Sequence, residues 1–205
     1  MIYILLPAYN EEKNLKRIFK KIEKNFRDKR KIRVVLIDDC STDGTKKIVI
    51  KKNNFKIIYK KHNKNKGLNI TMETGLKLID KKSNLNDIIV SLDSDNTHPI
   101  SLIPKMIKKI NQGNDIVIAS RFVKGSKVSG LSSWRQIMSH GAKLIFKVFY
   151  PFKNLNDYTC NFRAYRSQHI KKVLNNKNFF KDEDFNIAAK ILLFLVTNNR
   201  NLKLT

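Results

Sequence analysis

The chain has 205 residues, of which 42 are Lys or Arg and 17 are Asp or Glu, so its formal net charge is +25. Hydrophobic residues make up 41% of the chain, which excludes a disordered polycation, and no apolar run reaches the roughly 18 residues of a transmembrane helix. The two cysteines exclude a disulfide framework and a zinc-finger spacing, and they favour a reducing, cytoplasmic setting.

The positive charge predicts an anionic partner: nucleic acid, an acidic membrane surface or a phosphorylated substrate. Lysine greatly outnumbers arginine, and Lys and Asn crowd together at 51–54 and 175–178, as a bias in codon usage would also produce. Nucleic-acid readers rely on Arg and on stacking aromatic residues, and the chain has no recognised nucleic-acid motif. We therefore expect no nucleic acid, and we interpret most of the charge as solvated surface, with a smaller part that binds phosphate or lipid headgroups.

Strands and helices alternate regularly over the first 120 residues. Short apolar runs predict buried strands at 2–6, 32–37, 55–59, 88–92 and 116–119. Apolar residues at helical spacing predict a helix capped by Asn10, a short helix that ends at Ile50, a helix over 69–78 and one that runs from Pro99 to Ile110. This alternation predicts an α/β fold with a mostly parallel, Rossmann-like sheet covered by helices on both faces. Ligands of such sheets bind beyond the carboxyl ends of the strands.

The second part of the chain is predicted to be helical. An amphipathic helix with a basic edge is expected over 134–150, and further helices over 167–174 and 184–195, with a polar segment at 156–166. Neither an internal repeat nor a Pro/Gly-rich linker divides the chain. We therefore expect a single domain over residues 1–205.

Two carboxylates, Asp93 and Asp95, follow the fourth predicted strand. Paired carboxylates at one point repel each other unless a cation lies between them, and Mg²⁺ or Mn²⁺ with a diphosphate provides the oxygen ligands and the charge that fit. The alternative is a solvated turn that caps the next helix, and we assign His98 to that turn.

Polar residues also follow the first two predicted strands. Asp39 is placed to accept hydrogen bonds from a ribose or a base, and Tyr9 to flank a base whose polar edge meets Glu11 or Glu12. Capping of the following helices is the alternative interpretation of both segments.

Taken together and in this order, three motifs resemble glycosyltransferase family 2, which has the GT-A fold: PAYNEE at 7–12, DDCSTDGT at 38–45 and DSDNTHP at 93–99. Three more are similar to its polyprenol-phosphate branch, which is dolichol-phosphate mannosyltransferase-like: ASRF at 119–122, SWRQIMS at 133–139 and DYTCNFRAYR at 157–166. The resemblance covers roughly residues 2–166.

The resemblance implies roles for residues on the donor side, within a nucleotide-sugar-binding half at 1–122. The residues that would hold the nucleotide sugar are Pro7, Tyr9, Glu11, Asp39 and Asp93. Asp93 and Asp95 would bind Mg²⁺ or Mn²⁺ and the diphosphate, and Arg121 would lie near the donor phosphates. Thr97 stands where the family often has Gln.

The resemblance also implies an acceptor-side half at 123–205. Arg135 would face the acceptor phosphate and act with Asp93, Asp95 and Arg121 in catalysis; the residues that would close the acceptor side are Asp157, Arg163 and Arg166. Asn69 and Asn161 stand where the family usually has Gly. Relatives continue beyond the position of Thr205 into a further strand and a basic loop, so we expect either a fragment or a chain without the donor lid.

The implied activity is inverting transfer of a hexose, of the mannose or glucose type, from a sugar such as GDP-mannose or UDP-glucose to a polyprenyl (dolichyl or undecaprenyl) phosphate. Because the acceptor phosphate is already anionic, no strong general base is required. The chain would dock peripherally on the cytoplasmic face of an anionic membrane through the 134–150 helix, whose packing against the sheet is the alternative.

Two further interpretations stay open. A saccharide hydroxyl acceptor would need a general base, for which Glu183 and Asp184 are the candidates. A non-catalytic nucleotide-sugar binder would keep the fold without turnover.

Overall fold

In the part of the chain that the structure describes, six strands form one mixed sheet in the order β3-β2-β1-β4-β6-β5. The structure is a computed structural model, and it describes residues 1–50, 53–120, 152, 155, 157–176, 178–180, 186–199 and 201–205. The strands are β1 (Ile2–Ala8), β2 (Ile32–Asp38), β3 (Lys56–Lys61), β4 (Ile88–Ser91), β5 (Ile116–Ile118) and β6 (Arg163–Arg166). Strands β1 to β4 are mutually parallel, and β6 runs antiparallel between β4 and β5.

Helices cover both faces of this sheet. They are α1 (Glu12–Asn25), α2 (Thr45–Ile50), α3 (Gly67–Asp80), α4 (Ile103–Asn111), α5 (Ser167–Asn175) and α6 (Ile187–Thr197). Buried side chains of α1, α2 and α4 form one hydrophobic cluster with the sheet, and those of α3, α5 and α6 form the other. The predicted fold class, a mostly parallel α/β sheet with two helical layers, is confirmed.

Strand β1 continues through Pro7 to Ala8, whereas the sequence predicted its end before Pro7. Ala8 O accepts a hydrogen bond from Asp39 N, so the backbone of Ala8 faces β2 and that of Pro7 faces β4. Pairing with β4 ends at Leu5 and Ser91. Proline is tolerated here because its nitrogen, which has no hydrogen, points to the side on which the ladder has already ended.

Strand β6 lies within the segment 156–166, which the sequence analysis described only as polar. Its Ala164 is buried in one core cluster and its Tyr165 in the other, so the strand is covered on both faces. At the edge of the sheet, β5 also pairs with residues near Thr205: Ile118 N donates to Thr205 O, and Thr205 N donates to Ile116 O.

Several helix boundaries differ from the predicted ones by a few residues. Helix α3 begins at Gly67, and α4 begins at Ile103 after a 3₁₀ turn, Ile100–Leu102, that follows Pro99. The helix predicted over 134–150 lies outside the described residues. Within the described ranges, no helix is long and apolar enough to cross a membrane.

Helix α3 lies unusually close to the sheet at Gly75. A Cβ atom built on this residue would be 2.2 Å from Leu5 Cδ1 and 3.1 Å from Ile37 Cγ1. Leu5 and Ile37 are completely buried in β1 and β2, so a shift of either side chain would disturb the close-packed core. A glycine is therefore needed at this crossing.

Candidate functional site

Three loops meet at the carboxyl edge of the adjacent strands β1, β2 and β4. Asn10, with a φ of 57°, joins the first two: its N donates to Ser41 Oγ at 2.9 Å, and its Oδ1 accepts from Thr42 N at 2.8 Å. Glu11 N donates to Thr45 Oγ1 at 3.0 Å. The predicted cap residue Asn10 thus connects two loops, and α1 begins only at Glu12.

Glu12 closes the same pair of loops from the other side. Its Oε2 accepts from Gly44 N at 3.0 Å, and its own N donates to Asp43 Oδ2 at 3.1 Å. A Cβ atom on Gly44 would be 2.3–2.4 Å from the Glu12 carboxylate. Of the two acids proposed to meet a base, Glu12 is therefore occupied in holding the loops together.

Glu11 lies among other negative charges. Burial raises the pKa of its carboxyl group, a hydrogen bond from Asn14 lowers it, and the charges of Asp95 and Asp43 raise it further, so that the net shift is upward. Tyr9, two residues earlier, is 50% exposed at the same edge. An excess of carboxylates therefore gathers where the loops of β1, β2 and β4 meet.

Asp93 leaves the end of β4 with a side chain that is 39% exposed. Its Oδ1 accepts from Asn161 Nδ2 at 3.0 Å, and its Oδ2 lies 3.1 Å from His98 Nε2. His98 also lies against the Phe162 ring, with 5.1 Å between ring centroids. Asp93 is therefore oriented by one residue of its own loop, His98, and by one from a distant part of the chain, Asn161.

Asp95 is exposed in the turn that follows. Its Oδ1 accepts from Thr97 Oγ1 at 2.7 Å and from Thr97 N at 3.0 Å. The turn contains Asn96 at a φ of 62°, which is held by Lys21 Nζ of α1 at 2.8 Å. Thr97 thus orients a carboxylate through a hydrogen bond.

Asp39 is 4% exposed, and both of its oxygens accept hydrogen bonds. The donors are His62 Nδ1 at 2.7 Å, Gly67 N at 2.8 Å and Lys66 N at 2.9 Å. Burial alone would raise the pKa of Asp39, but these three hydrogen bonds outweigh it and lower the pKa below its ordinary value. Asp39 therefore ties the end of β2 to the first residue of α3.

Asp38 and His62 complete this buried network. Asp38 accepts from Ser41 N and from Tyr59 OH, both at 2.7 Å, and burial together with the Asp38 carboxylate raises the pKa of Tyr59. His62 Nε2 lies 3.0 Å from Thr74 Oγ1 of α3. The sequence analysis did not identify His62, because a single histidine after a strand carries no motif of its own.

Arg163 is fully buried at the start of β6. It donates to the carbonyl oxygens of Ala188 and Tyr158, the latter at 2.6 Å. Asp157 Oδ1 accepts from Cys160 N at 2.9 Å. These two predicted acceptor-side residues hold the turn at 157–160 against the first turn of α6.

Arg166 lies at the other end of the sheet, in contrast to the expectation that it helps close the acceptor side. Because β6 is antiparallel to β4, Arg163 is paired with Ser91 at the end of β4 and Arg166 with Ile88 at its beginning. Three residue steps along a strand separate them by about 10 Å, and Arg166 donates instead to Ile110 O of α4 at 2.6 Å. Arg121, Arg135, Glu183 and Asp184 lie outside the described residues.

A cavity of about 120 Å³ opens beside Asp93. Its lining comes from the β4 loop, the turn before β6 and the start of α6: Leu68, Asp93, His98, Thr159, Cys160, Asn161, Asn186, Ile187 and Ala188. Within the described part of the chain, no group of three or more His, Cys, Asp and Glu side chains is placed to hold a metal ion.

The sheet order, the two helical layers and the acidic loops at the carboxyl edge define a protein with the GT-A fold. The chain belongs to a family described as "Glycosyl transferase family 2", whose profile matches residues 3–174. The resemblance inferred from the motifs is thus confirmed.

Two curated relatives transfer sugars to dolichyl phosphate, according to their names. A dolichol-phosphate mannosyltransferase of Pyrococcus furiosus is 31% identical over 182 residues, which are 88% of this chain and 50% of the relative. A UDP-N-acetylglucosamine–dolichyl-phosphate N-acetylglucosaminyltransferase of Methanococcus voltae is 27% identical over 218 residues, or 98% of this chain and 82% of the relative. The chain thus spans half the length of the first relative and most of the second.

Solved structures share the fold at lower identity. TarS 1–349 of S. aureus in complex with UDP-GlcNAc has a TM-score of 0.67 at 21% identity, over 100% of this chain and 55% of that chain. Glucosyl-3-phosphoglycerate synthase of Mycobacterium tuberculosis, in complex with Mn²⁺, UDP and phosphoglyceric acid, has a TM-score of 0.65 at 17% identity, over 100% of this chain and 66% of that chain.

Proposed function

We propose that the chain is a metal-dependent, inverting transferase that moves a hexose from a nucleotide-diphosphate sugar to a polyprenyl phosphate. The observation that carries this proposal is the pair Asp93 and Asp95 at the carboxyl edge of a family 2 chain. Two relatives named for transfer to dolichyl phosphate support the acceptor class. Their names differ in the sugar, so the donor remains a mannose, glucose or N-acetylglucosamine type.

The donor set at the edge fits a hard divalent cation. Asp93 and Asp95 offer carboxylate oxygens, and the neighbouring Glu11 has a raised pKa to which the Asp95 charge contributes. Magnesium commonly takes only one or two carboxylates and completes its shell with water and substrate phosphates, so a site of two carboxylates is sufficient. Neighbours with this fold were solved with Mn²⁺ or Mg²⁺ and UDP. A bound ion would stabilise negative charge on the leaving diphosphate.

We propose that the nucleotide lies over the loops of β1 and β2. Tyr9 is half exposed and has the aromatic ring that can stack on a base. Asp39, whose two oxygens are already engaged, acts on the nucleotide by fixing Lys66 and Gly67 rather than by direct contact. Pro7 and Glu11 belong to the same edge and complete the proposed pocket.

In the proposed reaction, an oxygen of the acceptor phosphate attacks the anomeric carbon and forms a new C–O bond. The bond to the nucleoside diphosphate breaks, its electron pair leaves with the diphosphate, and the configuration inverts. Arg121 and Arg135 are proposed to bind the donor and acceptor phosphates, and Asp157 and Arg163 to position the turn at 157–160. No side chain has to remove a proton, because the acceptor is an anion.

Peripheral attachment to an anionic membrane is the proposed location, and the described charges support it. The helices on one face of the sheet are strongly basic: α1 carries six basic residues, α2 two and α4 three, and the acidic residues of these helices are two on α1. Helices α3, α5 and α6, on the other face, carry four basic and two acidic residues. Each Lys or Arg near an anionic surface contributes about 1 kcal/mol. The 134–150 helix remains a second proposed contact.

Vesicle binding distinguishes these contacts. Lys16→Glu with Lys20→Glu changes two exposed residues of α1, and Lys171→Glu with Lys172→Glu is the matched change on α5. The α1 pair should weaken co-sedimentation with phosphatidylglycerol vesicles by about thirtyfold or more, and the α5 pair by much less. Equal effects would exclude the α1 layer as the contact; a loss only with Lys143→Glu and Lys147→Glu would favour the 134–150 helix.

Transfer itself is tested with Mn²⁺, GDP-mannose, UDP-glucose or UDP-N-acetylglucosamine, and a short-chain polyprenyl phosphate. A lipid-linked sugar is the expected product, and Asp93→Asn or Asp95→Asn should lower its rate at least about a hundredfold. Asp80→Asn, at the end of α3, is the control. Nucleotide binding without product from any donor would refute the proposal in favour of a non-catalytic binder, and transfer only to a saccharide hydroxyl would refute the acceptor class.

A further inference from the structure

The cavity beside Asp93 is built by ordered groups rather than by chance packing. Asn186 Oδ1 caps α6 by accepting from Ala189 N at 3.1 Å, so the positive end of an 11-residue helix begins at the cavity wall. Arg163 fixes that wall by donating to Ala188 O. The volume of about 120 Å³ is too small for a nucleoside, but it admits one edge of a sugar ring.

Asn161 is the polar residue of this cavity whose hydrogen bonding is incomplete. Its side chain is held rigidly, because its Nδ2 donates to Asp93 Oδ1 at 3.0 Å and its backbone O accepts from Ser91 Oγ at 2.8 Å. A carboxylate only accepts hydrogen bonds, so the amide nitrogen must face Asp93 and the amide oxygen must point elsewhere.

The amide oxygen of Asn161 is buried, and no donor among the described residues reaches it. The residue as a whole is only 7% exposed. A buried acceptor without a partner costs the protein stability. A ligand that brings a hydroxyl or an amide N–H into the cavity would supply the missing donor.

We propose, on the basis of the function proposed above, that Asn161 determines specificity for the transferred sugar. Its Oδ1 accepts a hydrogen bond from one hydroxyl or acylamino N–H of the hexose, while its Nδ2 holds Asp93. The same side chain thereby sets the position of the sugar relative to the carboxylate next to the diphosphate. Sites that hydrogen-bond a substrate hydroxyl discriminate strongly against analogues that lack it.

The test measures binding of nucleotides and of deoxy analogues, in the presence of Mg²⁺, by calorimetry. Free UDP and GDP are titrated first. UDP-glucose, GDP-mannose and the 2-, 3-, 4- and 6-deoxy analogues of these two sugars are titrated next. For the wild-type chain, one deoxy position should weaken binding by about tenfold. Asn161→Leu, which is close in size, removes a hydrogen-bond donor to Asp93 together with the acceptor for the sugar. It should therefore weaken binding of all nucleotides, as loss of another Asp93 partner does, and should in addition lose that single preference.

Two variants make the result specific. His98→Gln removes another partner of Asp93 and should weaken all analogues equally, with the deoxy preference retained. Asn161→Ala repeats the test in case the leucine variant does not fold, which thermal unfolding monitors. An unchanged deoxy pattern in the folded Asn161 variants, or loss of the same deoxy preference in His98→Gln, would overturn the role of Asn161. Failure of the wild-type chain to bind any nucleotide would instead overturn the proposed function on which it rests.

Discussion

Replacement of Gly75 by Ala tests the close contact between α3 and β1. In the interior of an exposed helix this change would stabilise the protein by up to about 1 kcal/mol, because alanine has the higher helix propensity. Here the new methyl group would lie 2.2 Å from Cδ1 of the completely buried Leu5. Overpacking of a core costs about 1–3 kcal/mol, so we expect a net loss of about 1–2 kcal/mol.

The sign of this effect should reverse when the obstructing side chain is removed. Leu5→Ala alone should cost about 2–5 kcal/mol, because Leu5 is completely buried. In that background, Gly75→Ala places a methyl group in the new space and gains helix propensity, so it should stabilise the protein. Urea unfolding followed by circular dichroism gives the four free energies of the cycle. Stabilisation by Gly75→Ala in the wild-type background would refute the close approach of α3 to the sheet.

Three further predictions concern charged residues. The folded-state pKa of Asp39 is lowered, so its carboxylate stabilises the fold at pH values above its unfolded pKa of about 3.9. This contribution is lost as the pH falls through the folded-state pKa. Asp39→Asn should therefore make Tm less dependent on pH in the acid range. The folded-state pKa of Glu11 is raised, so the protein loses stability as the pH rises from the unfolded-state to the folded-state pKa of this group. Glu11→Gln should therefore raise Tm at pH 7 and leave Tm unchanged at pH values below both pKa values. Arg163→Met leaves buried carbonyl oxygens unpaired and should lower the free energy of urea unfolding by about 3 kcal/mol. Arg166→Met loses a single hydrogen bond to Ile110 O and should lower it by about 1 kcal/mol. Equal losses would contradict the different burial of the two arginines.

The layered fold could be predicted because its signals are local. Apolar runs mark β1, β2 and β4, and helical spacing marks α1 and α4, so the order of elements follows from the chain itself. The edge at which Asp93 lies follows as well, since parallel strands end at the same side. Strand β6 gave no such signal, because it has four residues, with an Arg at each end.

The roles of individual side chains could not be predicted, because their partners are distant in sequence. Asn161 contacts Asp93 across 68 positions, and His62 contacts Asp39 across 23. Arg163 has the residue type of a surface or site residue, yet it is buried, and backbone carbonyl groups accept hydrogen bonds from its Nη1 and Nη2. Only the antiparallel direction of β6 reveals that Arg166 belongs to the opposite end of the sheet.

The missing amide hydrogen at Pro7 bears on where the pairing of β1 and β4 ends. Strand order reverses direction between β1 and β4, so the chain connections run away from this point on both sides. A residue with an amide hydrogen at position 7 could donate a hydrogen bond to Leu92 O and extend the pairing of β1 with β4 by one step. Because proline cannot make that bond, the last hydrogen bond between the two strands is the one from Leu92 N to Leu5 O, and Asp93 begins the loop directly after it.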